Sequence, residues 1–422
     1  MPFPFNIIEH VIAGQHIREY PQSIKGSQET PLQLVIKQYV PVDQSDPVPD
    51  NAVTLIGVPG NGSSKELYEP LWEDVYTQLK KQGVPLRAIW VADPSNQGAS
   101  GVLNEDVQGD QTNWYDHSRD LLHMVNHFRD QIPRPIVGVG HSRGCAQLVN
   151  LSIIHPRLLS TLILFDPVIL DVAFSGPNPA IMPSQRKDLW ESPERAAEAL
   201  KKGLRNWDPR VQERFLRYSL RLVPTRLYDP SKDPSIPRTA VTLTTSKHQE
   251  AWNYNIPNLG PESLDRLLLA DWDPEKERPY LFSRPECWSA MRNLPFLRPS
   301  VLWVFGGKSY LSLPEAQDAK MRVTGTGIGG SGGVAKGMVE KAVLAEGSHT
   351  LVFEELDWCA SVTADWIQSW FRRWLGDEEF WRGYQSPNSD SEMLRLSDEA
   401  FQVAQMSVGT KRTEKATLKG KL

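Results

Sequence analysis

Within this chain of 422 residues, Gly140-His141-Ser142-Arg143-Gly144 is the stretch best suited to covalent chemistry. It follows the apolar run PIVGVG, 135–140, and precedes a helix-forming segment, about 143–154. A serine between a buried strand and a helix, with glycine two residues to either side, sits on a tight turn that presents its hydroxyl. A hydroxyl attacks a carbonyl only with the help of a base. Of nine histidines, His349 in Glu346-Gly347-Ser348-His349-Thr350 is placed for that task, after a strand-like run at 339–345 and before the last long helix. His117, His123 and His127 share a helix, His155 ends one, and His141 fills the variable position of the turn. None of these pairs with carboxylates at metal-ligand spacing. The base in turn needs a carboxylate to fix its tautomer. Asp166 ends the apolar run TLILF, 161–165, whereas the later run SVLWVFG, 300–306, is followed by no carboxylate before Glu315, at a helix start after Pro314. The expected catalytic order is therefore Ser142, Asp166, His349. The oxyanion needs two backbone N–H donors. Those of Arg143 and of Asn61, in Pro59-Gly60-Asn61-Gly62, are expected to supply them, because the glycines on both sides of Asn61 let its backbone turn freely and Pro59 has no N–H. Such a set performs acyl transfer through an acyl-serine.

The elements that must hold these residues alternate between strand and helix over the first 165 positions, which is the α/β pattern. Strands are expected at 33–41, 53–58, 86–92, 135–140 and 161–165, and helices at 66–82, 113–130 and about 143–154. Residues 167–298 differ. They hold sixteen of the 33 prolines and five of the 14 tryptophans, and read as an insertion of short helical pieces. The pattern resumes with strands at 300–306 and 339–345 and a helix at 357–375, where Val362, Trp366, Trp370 and Trp374 recur four apart as a face for the sheet. The predicted class is an α/β-hydrolase fold: a mostly parallel, doubly wound sheet with an inserted helical lid. Its segments are a first core part at 1–166, a lid at 167–298, a second core part at 299–407 and a basic tail at 408–422. The glycine run GTGIGGSGG, 325–333, lacks the G-K-[ST] ending of a phosphate loop and is expected to be a flexible surface loop.

Composition narrows the classes further. Apolar residues make up 40% and charged residues 23%, enough for a sizeable core. The 46 basic and 51 acidic residues leave a net charge of −5, with no overall attraction to nucleic acid. Cys145, Cys287 and Cys359 are too few and scattered for a disulfide framework or a zinc site, and no cofactor motif appears. MPFPFNIIEHVIAG has no basic region and is not expected to be a secretory signal. No apolar run reaches the ~18 residues of a membrane span.

The elbow GHSRG, the segment LYEPLW at 67–72, VTLTTSKHQEAW at 241–252, GTGIGGSGG and the ending GKL together resemble the fungal peroxisomal α/β-hydrolases of secondary-metabolite clusters. That family includes acyl-CoA hydrolases. The resemblance runs over most of the chain and implies a type I acyl-CoA thioesterase-like enzyme with a helical lid, whose serine, aspartate and histidine fall on Ser142, Asp166 and His349. Pro59-Gly60 stands where many such enzymes have His-Gly, and Arg143 stands where a small or bulky apolar residue is common. An ester, a lactone or an acyl-transfer or cyclising reaction would use the same triad, and the intact order argues against a retired site kept for binding. The end Gly420-Lys421-Leu422, after Lys411, Arg412 and Lys415, keeps the small-basic-leucine form of a tripeptide read by the peroxisomal import receptor. Peroxisomal import is therefore expected. The oligomeric state stays open, a homodimer included.

Overall fold

The computed structural model describes residues 2–171, 178–257, 260–268, 281–283 and 285–406. Its main sheet has eight strands: β1 (Phe5–Ala13), β2 (Gln33–Pro41), β3 (Val53–Val58), β4 (Leu86–Ala92), β5 (Ile136–His141), β6 (Thr161–Phe165), β7 (Ser300–Gly306) and β8 (Val339–Leu344). They lie in the order β1-β2-β4-β3-β5-β6-β7-β8. β1–β2 and β2–β4 are antiparallel and every later pair is parallel. The four central strands β3, β5, β6 and β7 are buried at every position. Helices cover both faces of a parallel sheet, so its strands read as unbroken apolar runs rather than alternating ones. The edge strand β1 reads differently. Ile7, Ile8 and Val11 are exposed while Phe5 and Ile12 are buried, and polar Asn6, Glu9 and His10 interrupt the run, so no strand is predicted there.

Helices α1 (Glu69–Lys81), α2 (Trp114–His127) and α3 (Arg143–Ile154) link the strands of the first half. α1 opens with a proline in its first turn, closes on Lys80 and Lys81, and buries Leu71, Trp72, Val75 and Leu79. α2 is capped by the Asn113 side chain, which accepts from the Tyr115 N–H. α3 is buried through most of its length and packs into a core with Trp303 and Phe305 of β7. Truncating a buried aromatic of this kind to alanine costs about 3–5 kcal/mol.

Between β6 and β7 the chain leaves the sheet. This segment carries, among others, α4 (Pro209–Tyr218), α5 (Lys247–Trp252) and α6 (Pro285–Asn293). It also forms two small antiparallel sheets that the sequence reading lacks, one of Leu189–Trp190, Val241–Leu243 and Leu220–Leu222 and one of Asn255–Pro257 and Leu281–Ser283. Strands of two or three residues are too short to show a period. Trp190, Ala196, Val241 and Leu243 form a small core of their own. α4 is tied to α1 through Arg210, whose Nη1 and Nη2 each lie 2.8 Å from an oxygen of Asp74, and through Arg214, whose Nε donates to Glu69 at 2.6 Å. By contrast, Cys287 and Ala290 of α6, with Leu294 and Leu297, join the main core. The end of the segment expected to be lid is thus packed as part of the main core.

The glycine run is not a loose loop. Its main chain is pinned to 294–297 by bonds from Gly325 to Leu294, Gly327 to Pro295 and Ser331 to Leu297. After α7 (Pro314–Val323), this turn and β8 comes α8 (Leu356–Gly383), longer than the expected 357–375. Its buried face includes Thr363, Trp366, Ile367 and Trp370, with Val362 half-buried. The division into two compact units falls within α8, after Phe371, rather than at 407. The described part of the second unit continues the helix and adds Asp390–Met393, opened by a Ser389–Glu392 capping box, and Asp398–Ala404. The tail with Gly420-Lys421-Leu422 lies outside the described residues. No described helix is long and apolar enough to cross a membrane.

Candidate active site

β5 ends at His141 and α3 begins at Arg143, which leaves Ser142 alone to make the turn. Its backbone takes φ 56°, ψ −118°, in the left-handed half of the map where a non-glycine residue is strained. Bonds on both sides hold it there. Ser142 N–H donates to Phe165 O at 2.9 Å, and Val168 N–H donates to Ser142 O at 3.1 Å. A side chain at Gly144 would meet Val58 O at 2.2 Å, so only glycine lets α3 start this close to β3. Asp166, at the end of the next strand, also has positive φ, 41°. His349 follows β8 by five residues. The three side chains meet. Ser142 Oγ lies 3.0 Å from His349 Nε2, and His349 Nδ1 lies 2.6 Å from Asp166 Oδ2. Glu315 is exposed at the start of α7 and takes no part. The Pro59–Gly62 loop passes directly over the turn, since a methyl group at Gly60 would sit 3.4 Å from Ser142 Cβ. Asn61 is held in that loop by its side chain, whose Nδ2 donates to Glu250 O at 3.0 Å and whose Oδ1 accepts from Gln97 Nε2 at 2.6 Å.

A family model described as "Alpha/beta hydrolase family" matches residues 55–362. The chain belongs to the alpha/beta hydrolase family. Among curated relatives of this hydrolase, the type I acyl-CoA thioesterase mpaH of Penicillium brevicompactum is 39% identical over 400 residues, covering 90% of this chain and 91% of its own. The abhydrolase domain-containing protein AKT2 of Alternaria alternata is 26% identical over 238 residues, 56% of this chain and 84% of its own. Among solved structures, the peroxisomal α/β-hydrolase Lpx1 of Saccharomyces cerevisiae superposes with a TM-score of 0.66 at 16% identity, covering 99% of both chains. The protein is thus an α/β-hydrolase enzyme related to acyl-CoA thioesterases.

In this hydrolase Asp166 is fully buried, and burial alone would raise its pKa. Hydrogen bonds from His349, Ser309 and Ser312, with the attraction of the imidazole, outweigh that and hold the carboxyl below its ordinary value. Ser309 and Ser312 each donate to it at 2.5 Å and Gly306 N–H at 3.1 Å. The later strand, which carries no acid, therefore supplies the donors that stabilise the acid of the earlier one. A scan for carboxylates passes over these hydroxyls. The signal available to it was two serines within six residues after the end of β7.

His141, at the variable position of the turn, also takes part. Its Nε2 lies 2.9 Å from His349 O and its Nδ1 lies 2.8 Å from Tyr68 Oη. A carbonyl only accepts, so Nε2 carries the proton and Nδ1 accepts from the phenol. Tyr68 Oη in turn accepts from Gly60 N–H at 2.8 Å. One chain of bonds thus joins the Gly60–Asn61 loop to the backbone of His349. Burial, and then the neighbouring His349, push the His141 pKa down to about 3, so this ring stays neutral. Among the described residues, no group of three or more His, Cys, Asp and Glu side chains is gathered as a metal site.

Proposed function

We propose that the protein is a serine hydrolase that cleaves an acyl-CoA thioester, of secondary-metabolite or fatty-acyl type, to the free acid and CoA. The observation that carries this reading is the hydrogen-bonded line Ser142–His349–Asp166. Ser142 Oγ attacks the thioester carbonyl as His349 Nε2 takes its proton, and Asp166 stabilises the resulting imidazolium. The main-chain N–H groups of Asn61 and Arg143 receive the oxyanion. Collapse expels the CoA thiolate, which leaves with the proton from His349. Water then attacks the acyl-serine as His349 takes its proton, and collapse releases the acid while Ser142 Oγ leaves with that proton from His349. Choice of a thioester rests on the relative that is 39% identical and named a type I acyl-CoA thioesterase. Of the segment 167–298, the part before α6 serves as the lid over the acyl group.

A panel of acyl-CoA substrates, read by free-thiol release and by intact mass of the acyl-enzyme, tests the reading. Faster release from acyl-CoA than from simple esters supports it. The reverse order would make the protein a carboxylesterase or lactonase, and a product lacking added water would make it an acyl-transfer or cyclising enzyme.

Gly420-Lys421-Leu422 directs the enzyme into peroxisomes, beside the acyl-CoA products of β-oxidation. A fluorescent protein fused to the N-terminus, imaged with and without the last three residues, checks this. A cytosolic full-length fusion would defeat it and weaken the case for an acyl-CoA substrate.

A further inference from the structure

The residue after the nucleophile carries a side chain that the mechanism above does not use. Arg143 is 1% exposed, one of the largest fully buried side chains in the described structure. Its Nη1 donates to Asn253 Oδ1 at 2.8 Å and more weakly to Asn61 Oδ1 at 3.4 Å, and its Nη2 donates to Gln97 Oε1 at 3.1 Å. All three acceptors are amide oxygens. Because a guanidinium only donates, it decides which way each amide faces. With Gln97 Oε1 turned to Arg143, Gln97 Nε2 is left to donate to Asn61 Oδ1. Asn61 Nδ2 is then left to donate to Glu250 O. Gln97 Oε1 also accepts the N–H of Gly62 at 3.0 Å, so the loop is gripped on both its side chain and its backbone.

The anchors of this ring come from separate parts of the fold. Gln97 lies in the loop after β4, where Asp93 accepts from Lys65 Nζ at 2.5 Å and from Ala99 N–H at 3.0 Å. Asn253 follows α5, its Nδ2 donating to Gln249 O and its carbonyl accepting from Trp114 Nε1. The guanidinium is therefore the hub through which the elbow, the Asn61 loop, the β4 loop and α5 are set against one another.

We propose that the Arg143 side chain is a positioning residue for the oxyanion site: by clamping the amide of Asn61 it fixes the main-chain N–H of Asn61 relative to Ser142 Oγ. The proposal rests on the reading of Ser142 as nucleophile. It accounts for a buried cation where a small or apolar residue would pack at lower cost, since only a planar fork reaches three acceptors in two directions. A lysine at this position would keep the charge and lose the geometry. The loop that it steers supplies transition-state hydrogen bonds, so the effect falls on turnover and leaves ground-state binding largely unaltered.

The test uses the full-length enzyme and four variants. Arg143→Met removes the fork, Arg143→Lys keeps the charge, and Asn61→Ala keeps the main-chain N–H while removing its clamp. The double variant combines the first and third. Three quantities are read: kcat and KM on one acyl-CoA, the rate at which a fluorophosphonate labels Ser142, and affinity for an alkyl trifluoromethyl ketone, which binds as an oxyanion. Loss of one oxyanion donor costs ~10²–10³ in kcat, and displacement by about 1 Å costs ~10². Arg143→Met is expected to lower kcat, labelling rate and ketone affinity together by about 100-fold, with KM within about threefold. Arg143→Lys should recover less than tenfold of that. Asn61→Ala should lose a comparable amount, and the double variant should be no more than about threefold worse than the worse single one, because both act through one clamp. Wild-type labelling and kcat in Arg143→Met, or losses that multiply in the double variant, would overturn the proposal. Should Arg143→Met fail to fold, Gln97→Ala removes one acceptor of the fork and the partner of Gly62. It should lose about tenfold in labelling rate, and an unchanged rate would count equally against the proposal. A wild-type enzyme that the probe does not label at Ser142 would remove the serine reading itself, and this inference with it.

Discussion

Replacing Asp166 by asparagine isolates what the buried acid does, and its environment dictates how the amide must sit. Asp166 Oδ1 accepts from Gly306 N–H at 3.1 Å and from Ser312 at 2.5 Å. Oδ2 accepts from His349 Nδ1 at 2.6 Å and from Ser309 at 2.5 Å. Both serine hydroxyls can rotate from donor to acceptor, but the Gly306 N–H cannot. The asparagine oxygen must therefore take the Oδ1 position and its NH2 group the Oδ2 position, facing His349 Nδ1. That nitrogen then has to accept, so the ring proton moves to Nε2 and points at Ser142. A ring in this tautomer cannot take the serine proton. The expected loss is ~10⁴ in acylation rate, the cost of the wrong tautomer in a triad of this type. At ~1.36 kcal/mol per factor of ten this is about 5.4 kcal/mol on the barrier. Rapid-mixing measurement of thiol release in Asp166→Asn, with Glu315→Gln as control, reads it directly. Asp166→Asn within tenfold of wild type, or a comparable loss in Glu315→Gln, would refute the reasoning.

Further outcomes follow from the same geometry. Ser142→Ala should fold normally, by circular dichroism, yet show no acyl-enzyme by intact mass and lose on the order of 10⁴–10⁶ in turnover. His141→Gln, which loses the ring joining Tyr68 to the His349 carbonyl, should lower kcat about tenfold on the scale of a modest misplacement. Because burial, and then His349, push the wild-type ring down to about 3, the shape of the rate profile between about pH 5 and 9 should be the same in both. Ser309→Ala/Ser312→Ala removes two donors that lower the Asp166 pKa. A carboxyl with a depressed folded pKa stabilises fully above its unfolded value, ~4, and loses that contribution as pH falls through the folded value. The stability gap between wild type and this variant, from urea unfolding, should therefore be widest near neutrality and narrow on acidification. A gap independent of pH would show that the hydroxyls do not act through the charge.

The parts of the molecule legible in the sequence are those governed by continuous burial. β3, β5, β6 and β7 read as apolar runs because both faces are covered, and the elbow reads because its glycines answer a close approach of backbones. Chain order then selects Ser142, Asp166 and His349, the residues that the structure joins. β1 was illegible because a half-exposed edge strand has neither a run nor a clean alternation. Tyr68, His141, Ser309 and Gln97 were illegible for a different reason. Each acts through directed hydrogen bonds to residues elsewhere in the chain, and such bonds impose no spacing on their neighbours. Arg143 was visible as an odd residue and assigned only its main-chain N–H, because the acceptors that give its side chain a task lie at 61, 97 and 253.

The positive-φ backbones of Ser142 and Asp166 have a consequence for how the site assembles during folding. Each costs on the order of 1–3 kcal/mol locally and persists only where its surroundings over-determine it. Those surroundings are the rungs between neighbouring strands: Ser142 is tied to β6 and Asp166 to Val304 of β7. The third partner, His349, arrives 183 residues after Asp166 and beyond β8 at the far edge of the sheet. A chain still emerging from the ribosome, without β7, lacks the bond that holds Asp166, and one whose last strand has frayed does not hold His349 beside it. On the reading proposed for Ser142, its reactivity is complete only once His349 has joined it and Asp166, so covalent labelling at that one oxygen gauges the finished fold.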